Sequence, residues 1–558
     1  MQDEDIELLS KAKKIELVYG VCNHFITNNQ DVFSFPSLSE NNRRVLLWTA
    51  LFQQLQRQKC CKIYPYIAMA IRILSRDKTD IDNIICERWM LTLMERAGLL
   101  NFENVIEDTV TPPEVYDMKL AEEALKSLCN ITFHSEKARE VCANTLMVDG
   151  LIARMKHYNE VPFRDDCMLF DMKLLFILTA LRQDIKTKVK EEFNGMEHLT
   201  VFLNQLLTDT VESPKPFNEV DMTEYKSIND KYHAIICEVL KVQFNLILQS
   251  GSDEPSDEKE EAMFNTLVPV LTRLLHAKTT STEKLMELHS HVANLLTSVP
   301  PTFYHHLTPV TKEGHYFMKE FDERNVDAVQ ALLVLLLHRL RMSMDTKNQY
   351  ENLSPILTVL IKSARACRTQ RRYMRAQVLP PLRDVSRPPE RGGTARNLLC
   401  RLLTTPVTTV RDLVAEFLFV LCKEKVGRMV KYTGFGNAAG HLAQKGLLSG
   451  GRGGQYSSSS DDSDTEEYRA AEPHIDPVVG CTRPPRANPF EGMTEEQKEY
   501  EAMKLVNLFD KMMSDGVMKP ARIGEDGRPE PIQHVLQLHE DITRMQNNKD
   551  TPNKQDSV

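Results

Sequence analysis

Val410–Cys422 reads VRDLVAEFLFVLC. Its apolar residues Val410, Leu413, Val414, Phe417, Leu418 and Leu421 recur at i, i+3, i+4, i+7, i+8 and i+11, which is one wide stripe along an α-helix. The same period runs through YIAMAIRILSR (Tyr66–Arg76), FDMKLLFILTALR (Phe170–Arg182) and ILTVLIKSAR (Ile356–Arg365), and the alternation of a β-strand is missing from residues 1–455. Glycine agrees: nine of the 22 fall in residues 1–433 and thirteen in the last 125, a scarcity that suits helices, where an interior glycine costs about 0.5–1 kcal/mol.

The helices repeat. LKSLCNI (Leu125–Ile131) and LKVQFNL (Leu240–Leu246) share the frame L-K-x-x-x-N-aliphatic, and HVANLL (His291–Leu296) offers a third asparagine. Neighbouring centres lie roughly 45–70 residues apart, close to the periods of armadillo and HEAT units once polar insertions such as SGSDEPSDEKEE (Ser250–Glu261) are allowed for. The expected fold is all-α: an armadillo/HEAT superhelix over 1–425 and a capping turn with a short helix over 426–450. A flexible acidic linker over 451–492, an amphipathic helix over 493–516 and a disordered tail over 517–558 should follow.

Composition narrows the function. The 558 residues are 42% hydrophobic and 26% charged, as in a protein with a real core. The opening MQDEDIELL is acidic, unlike a signal peptide, and the longest aliphatic run, Ala331–Leu337, is far short of a membrane span. A cytoplasmic protein is expected. Twelve scattered cysteines with no C-x-x-C pair and no zinc-finger spacing read as free thiols. Residues 1–455 carry 57 charges of each sign, while the remainder holds the whole excess of −9. A neutral body argues against nucleic-acid binding.

Two features point to a protein partner. Asn130 and Asn245 stand four residues after Lys126 and Lys241. They either satisfy neighbouring carbonyls or form a row of amides able to bond an inserted peptide. Arg72 and Arg76 make another i, i+4 pair. Later, residues 361–401 hold eleven basic and two acidic side chains. Arg365, Arg368, Arg372 and Arg375, spaced i, i+3, i+7 and i+10, are expected on one helix face, either solvated or matched to an acidic peptide.

KYTGFGNAAG (Lys431–Gly440) contains G-x-G-x-x-A, the glycine fingerprint of a dinucleotide turn. It follows a helical pattern rather than a strand, so nucleotide binding is not expected. No cofactor is expected either. No Walker motif, G-x-S-x-G or H-E-x-x-H occurs, and the chain is not expected to be an enzyme.

In QYSSSSDDSDTEEY, Ser458, Ser459 and Ser463 each have an acid three residues on, and Thr465 lies in the same strip. An acid-directed kinase is the expected modifier. In Met493–Lys511, Thr494 and Gln497 form a T-x-x-Q capping box. A stripe including Leu505, Val506, Phe509 and Met512 is expected to meet either the body or a partner.

RILSRD (Arg72–Asp77), FDMKLLFILTALR, AQVLPPLRDV (Ala376–Val385), VAEFLFVLC (Val414–Cys422), KYTGFGNAAG and MTEEQKEYEAMKLVNLFDK together resemble the synembryn family (resistance to inhibitors of cholinesterase 8). The resemblance spans about residues 5 to 515. It implies a guanine-nucleotide exchange factor and chaperone for heterotrimeric G-protein α subunits, whose concave groove grips the Gα C-terminal helix. The positions it implies in that groove are Arg72, Arg76, Asn130, Phe170, Phe176 and the Arg365–Arg375 face, and the capped helix would reach the nucleotide domain. It also implies membrane recruitment at the cell cortex only through Gα, with no nucleotide bound by the chain itself. A passive armadillo adaptor for acidic peptides is the rival reading.

Overall fold

The computed structural model describes residues 3–100, 117–158, 164–208, 227–247, 255, 257–310, 321–342, 348–451, 464–483, 490, 492–519, 521–524 and 526–532. The chain divides into two compact units, Met1–Leu307 and Thr308–Val558, so the span read as one array, 1–425, crosses a boundary.

In the first unit, Ile15–Asn29, Tyr64–Leu74, Met118–His134, Arg164–Leu181, Asp230–Ile247 and Thr282–Leu296 form a row in which each helix packs on the next. Behind them stand Arg43–Leu55, Glu87–Arg96, Met147–Lys156, Gly195–Thr208 and Glu258–His276. The two layers are those of an armadillo/HEAT array, in which no helix pair buries its apolar face without its neighbours. The rear layer contributes the largest core side chains, with Phe52 and Trp89 stacked at 4.8 Å and Trp48 fully buried beside them.

The most enclosed charges of this unit also lie between the layers. Arg154 and Asp171, 1% and 0% exposed, are paired directly. Arg154 Nε donates to Asp171 Oδ2 at 2.9 Å and Nη1 to the Ala97 carbonyl at 2.6 Å. The Tyr158 hydroxyl donates to Asp171 Oδ2 at 2.9 Å. A charge without solvent is tolerated only with such complete hydrogen bonding.

In the second unit, Gln349–Ala366 packs against Thr408–Leu421. The stripe foreseen on the latter is buried except at Leu413, and burial becomes continuous from Phe417 to Cys422. Over both units, the β-structure among the described residues is three two-stranded ribbons of two or three residues per strand and an isolated bridge between Val310 and Arg324. All twelve cysteines are free, and nine are buried. No helix among the described residues is long and apolar enough to cross a membrane.

The span read as a linker, 451–492, is corrected in part. Thr465 caps a helix over Glu466–Ala471, and Ile475–Asp476 pairs antiparallel with Cys481–Thr482. Tyr468 and Cys481 are buried. This stretch packs because it supplies two apolar anchors amid its charges.

Replacing Asp171 with Asn should cost about 3–5 kcal/mol, since it leaves a buried guanidinium uncompensated. Equilibrium denaturation of the full chain would read this as an earlier transition of the first unit.

Candidate protein-binding site

The helix row of the first unit carries a ladder of half-buried polar and aromatic side chains. Arg72, in the last turn of Tyr64–Leu74, pairs with Glu123 of the next helix, with 20% and 6% of the side chains exposed. Glu123 also accepts from Lys126 Nζ at 2.9 Å, and Lys126 stands 5.3 Å over the Phe170 ring. Burial works against the Lys126 ammonium, but hydrogen bonds to Glu122 and Glu123 outweigh it and raise its pKa. The motif recurs two helices along the row: Lys241 bonds Glu238 at 3.0 Å and lies 5.7 Å over Phe176. Phe170 and Phe176, both on Arg164–Leu181, therefore face the lysines of the two flanking helices.

The asparagines tie the same helices together. Asn130 Nδ2 donates to Ser75 Oγ at 2.9 Å. Asn245 Nδ2 donates to Thr179 Oγ1 at 3.1 Å and to the Phe176 carbonyl at 3.2 Å. Of the two readings of these amides, the structure supports the satisfied one: their donors clamp the preceding helix. Arg76 donates to the Gln30 carbonyl at 2.5 Å and lies 5.0 Å over the exposed Phe33 ring. Burial, and then nearby Arg72, lower its pKa.

In the second unit the single arginine face does not form. The helix ends at Ala366, Cys367 is extended (φ −124°, ψ 121°), and a new helix runs Arg368–Val378. Arg365 therefore belongs to the preceding helix, where it pairs with Glu416 and, at 3.3 Å, Glu424. Arg368, Arg372 and Arg375 share the new helix with Arg371, which sequence spacing had left out. These four and Lys423 line a cavity of about 410 Å³ with Phe321, Leu379 and Leu421. Arg372 Nη1 lies 3.6 Å from Asp322, and Arg371 Nη1 bonds the Ala364 carbonyl at 2.6 Å. Concentrated guanidiniums beside apolar walls suit a carboxylate- or phosphate-bearing segment.

The glycine motif holds the chain itself. Gly434 has φ +77° and caps the helix Phe435–Lys445. The Phe435 and Gly436 amides donate to the carbonyls of Pro477 and Val478 at 2.8 and 2.9 Å. A Cβ at Gly434 would meet Val479 backbone at 3.0 Å. The fingerprint residues thus permit close approach of a returning peptide, not of a pyrophosphate.

Beyond it, Glu495–Ser514 is helical with both capping-box bonds formed between Thr494 and Gln497. None of its residues is buried; Leu505 and Leu508 are exposed, and Val506 and Phe509 are half-buried. Ser458, Ser459 and Ser463 lie outside the described residues. The Thr465 hydroxyl donates to the Leu382 carbonyl and accepts from the Tyr468 amide at 3.1 Å.

Stacked helices with an aromatic–cationic ladder, a basic cavity and an exposed amphipathic helix define a helical-repeat protein. The family model described as guanine nucleotide exchange factor synembryn matches residues 68–528, and the chain belongs to that family. It is 35% identical to the Drosophila melanogaster protein named chaperone Ric-8, over 98% of this chain and 99% of that one. It is 40% identical to chaperone Ric-8A of Gallus gallus, over 90% and 91%.

Two substitutions probe this geometry. Arg72→Glu would set a second carboxylate against buried Glu123 and should lower the melting temperature clearly, with Glu123→Arg in the same chain restoring much of the loss. Gly434→Ala should cost about 1–3 kcal/mol for the left-handed backbone alone, and hydrogen exchange should report faster exchange of the Phe435 and Gly436 amides.

Proposed function

We propose that this chain is a guanine-nucleotide exchange factor and folding chaperone for heterotrimeric G-protein α subunits. The observation that carries the reading is the family match, which runs from the Tyr64–Leu74 helix through the glycine turn to the capped helix. The names of the relatives point the same way.

The Gα C-terminal helix is the segment we place on the ladder. Phe170 and Phe176 offer apolar rings, while Arg76, Lys126 and Lys241 supply charge. Arg72, Asn130 and Asn245 act mainly by setting the positions of these groups. The basic cavity around Arg368, Arg372 and Arg375 takes an acidic segment, and Val506 and Phe509 take the nucleotide domain. No bond is made or broken by this chain. Gα with its C-terminal helix withdrawn binds nucleotide weakly, so gripping that state lowers GDP affinity by the same factor by which GDP weakens the grip. GTP then restores the closed state and releases the partner. A nascent, nucleotide-free Gα presents the same surface, so one binding mode serves folding and exchange.

The chain would act in the cytoplasm and reach the cell cortex through Gα. Ser458, Ser459 and Ser463 are the proposed targets of an acid-directed kinase, and Thr465, whose hydroxyl is engaged, would need its helix cap opened first. The basic cavity also suits the second reading, a passive adaptor for acidic peptides.

GDP release from purified Gα, with and without this protein, separates the two. Release should be faster with it. Arg76→Glu should weaken Gα binding by roughly tenfold, about the 1.4 kcal/mol expected of one good interface charge, while the protein still melts cooperatively, with only the small loss expected from its contacts with Gln30 and Phe33. Unchanged release for every Gα class would remove the exchange reading and leave a folding role or the adaptor.

A further inference from the structure

The Asp230–Ile247 and Thr282–Leu296 helices start side by side. Ser227–Ile228 pairs in parallel with Lys278–Thr279 immediately before them, Lys284 Nζ contacts Asp230 at 2.6 Å, and the Thr280 hydroxyl bonds the same carboxylate at 2.6 Å. One turn further on, three side chains of different chemistry converge. His233 and Cys237, at i and i+4 on one helix, are both buried, and Glu287 of the other helix sits at the rim, 54% exposed. His233 Nε2 lies 3.7 Å from Cys237 Sγ and 3.9 Å from Glu287 Oε2, and the three ligand atoms all fall within 4.8 Å of one another.

Cys237 and His233 are within reach of a weak thiol–imidazole hydrogen bond, but nothing of that kind ties Glu287 to them. The imidazole–carboxylate distance is too long for a direct bond. Ligand bonds of about 2.0–2.3 Å arranged tetrahedrally place neighbouring ligand atoms about 3.3–3.7 Å apart, so closing the set takes side-chain movement of up to about 1 Å. A nitrogen, a sulfur and a carboxylate oxygen together select a borderline ion of the zinc class, whereas calcium and magnesium take oxygen. The half-exposed carboxylate leaves a path for entry and a fourth position for water.

We propose that His233, Cys237 and Glu287 bind one zinc-class ion and thereby staple these two helices of the row together. The ion takes the Cys237 sulfur as thiolate, with the thiol proton released to solvent. The Nε2–H of His233 now donates to the Lys284 carbonyl at 2.9 Å; for binding, the imidazole turns off that carbonyl and its proton moves to Nδ1, so that neutral imidazole ligates through Nε2. One proton leaves per ion bound. The site lies next to the rung formed by Lys241 and Phe176, so the staple would stiffen the ladder there.

Cobalt(II) titration of the full chain, after chelator treatment, tests this. One equivalent should produce thiolate-to-cobalt charge-transfer absorption that zinc displaces, and zinc should raise the melting temperature. Cys237→Ser should abolish the band, and Glu287→Gln, at a position tolerant of exchange, should weaken zinc at least about tenfold, in line with losses seen when metal-site partners are removed. Cys61→Ser, at the exposed thiol, should change nothing. Absence of the band at one equivalent overturns the proposal. So does a band that survives Cys237→Ser or vanishes in Cys61→Ser, or an unchanged zinc affinity in Glu287→Gln.

Discussion

A carboxylate and a guanidinium shut away from water, Asp171 and Arg154, set the rotation of the helix on which the ladder depends. Asp171 neighbours Phe170 in sequence, and its partners come from the Met147–Lys156 helix and Tyr158, while Arg154 reaches the Ala97 carbonyl at the end of Glu87–Arg96. Rolling the Arg164–Leu181 helix would break several charge-assisted bonds in a low-dielectric interior. That rigidity keeps Phe170 under Lys126 and Phe176 under Lys241. The polar face outside is thus positioned by a polar contact inside.

The helical class was legible because apolar period and glycine scarcity are direct physical consequences of helices packed on two sides. The repeated L-K-x-x-x-N frame falls on two helices of the front row, Met118–His134 and Asp230–Ile247. Its role was harder to see, since a sequence does not say whether an amide bonds a partner or the previous helix. The glutamate completing each rung was visible three residues before each lysine, at Glu123 and Glu238, yet acid–base spacing of that kind is common on solvated helices.

Where the reading failed, the cause was a single residue or a long loop in sequence. Neither glycine nor proline marks the break at Cys367, so spacing alone puts Arg365 on a face it does not share and leaves out Arg371. Lys423 joins the same cavity from beyond another helix. The ribbon at 475–482 has two residues per strand, too few for alternation to register. His233 and Glu287 meet although more than fifty residues separate them, a spacing outside any compact metal motif.

The returning peptide also dictates how short a self-contained version of the second unit can be. Chain ended soon after the glycine-rich stretch would strip the Phe435 and Gly436 amides of their acceptors and take away Thr482, whose own amide donates to the Val385 carbonyl. Buried Tyr468 and Cys481 would leave with it. A fragment intended to behave like the intact unit has to extend past Thr482, even though the sequence around Ser457–Ser463 looks like a natural place to stop.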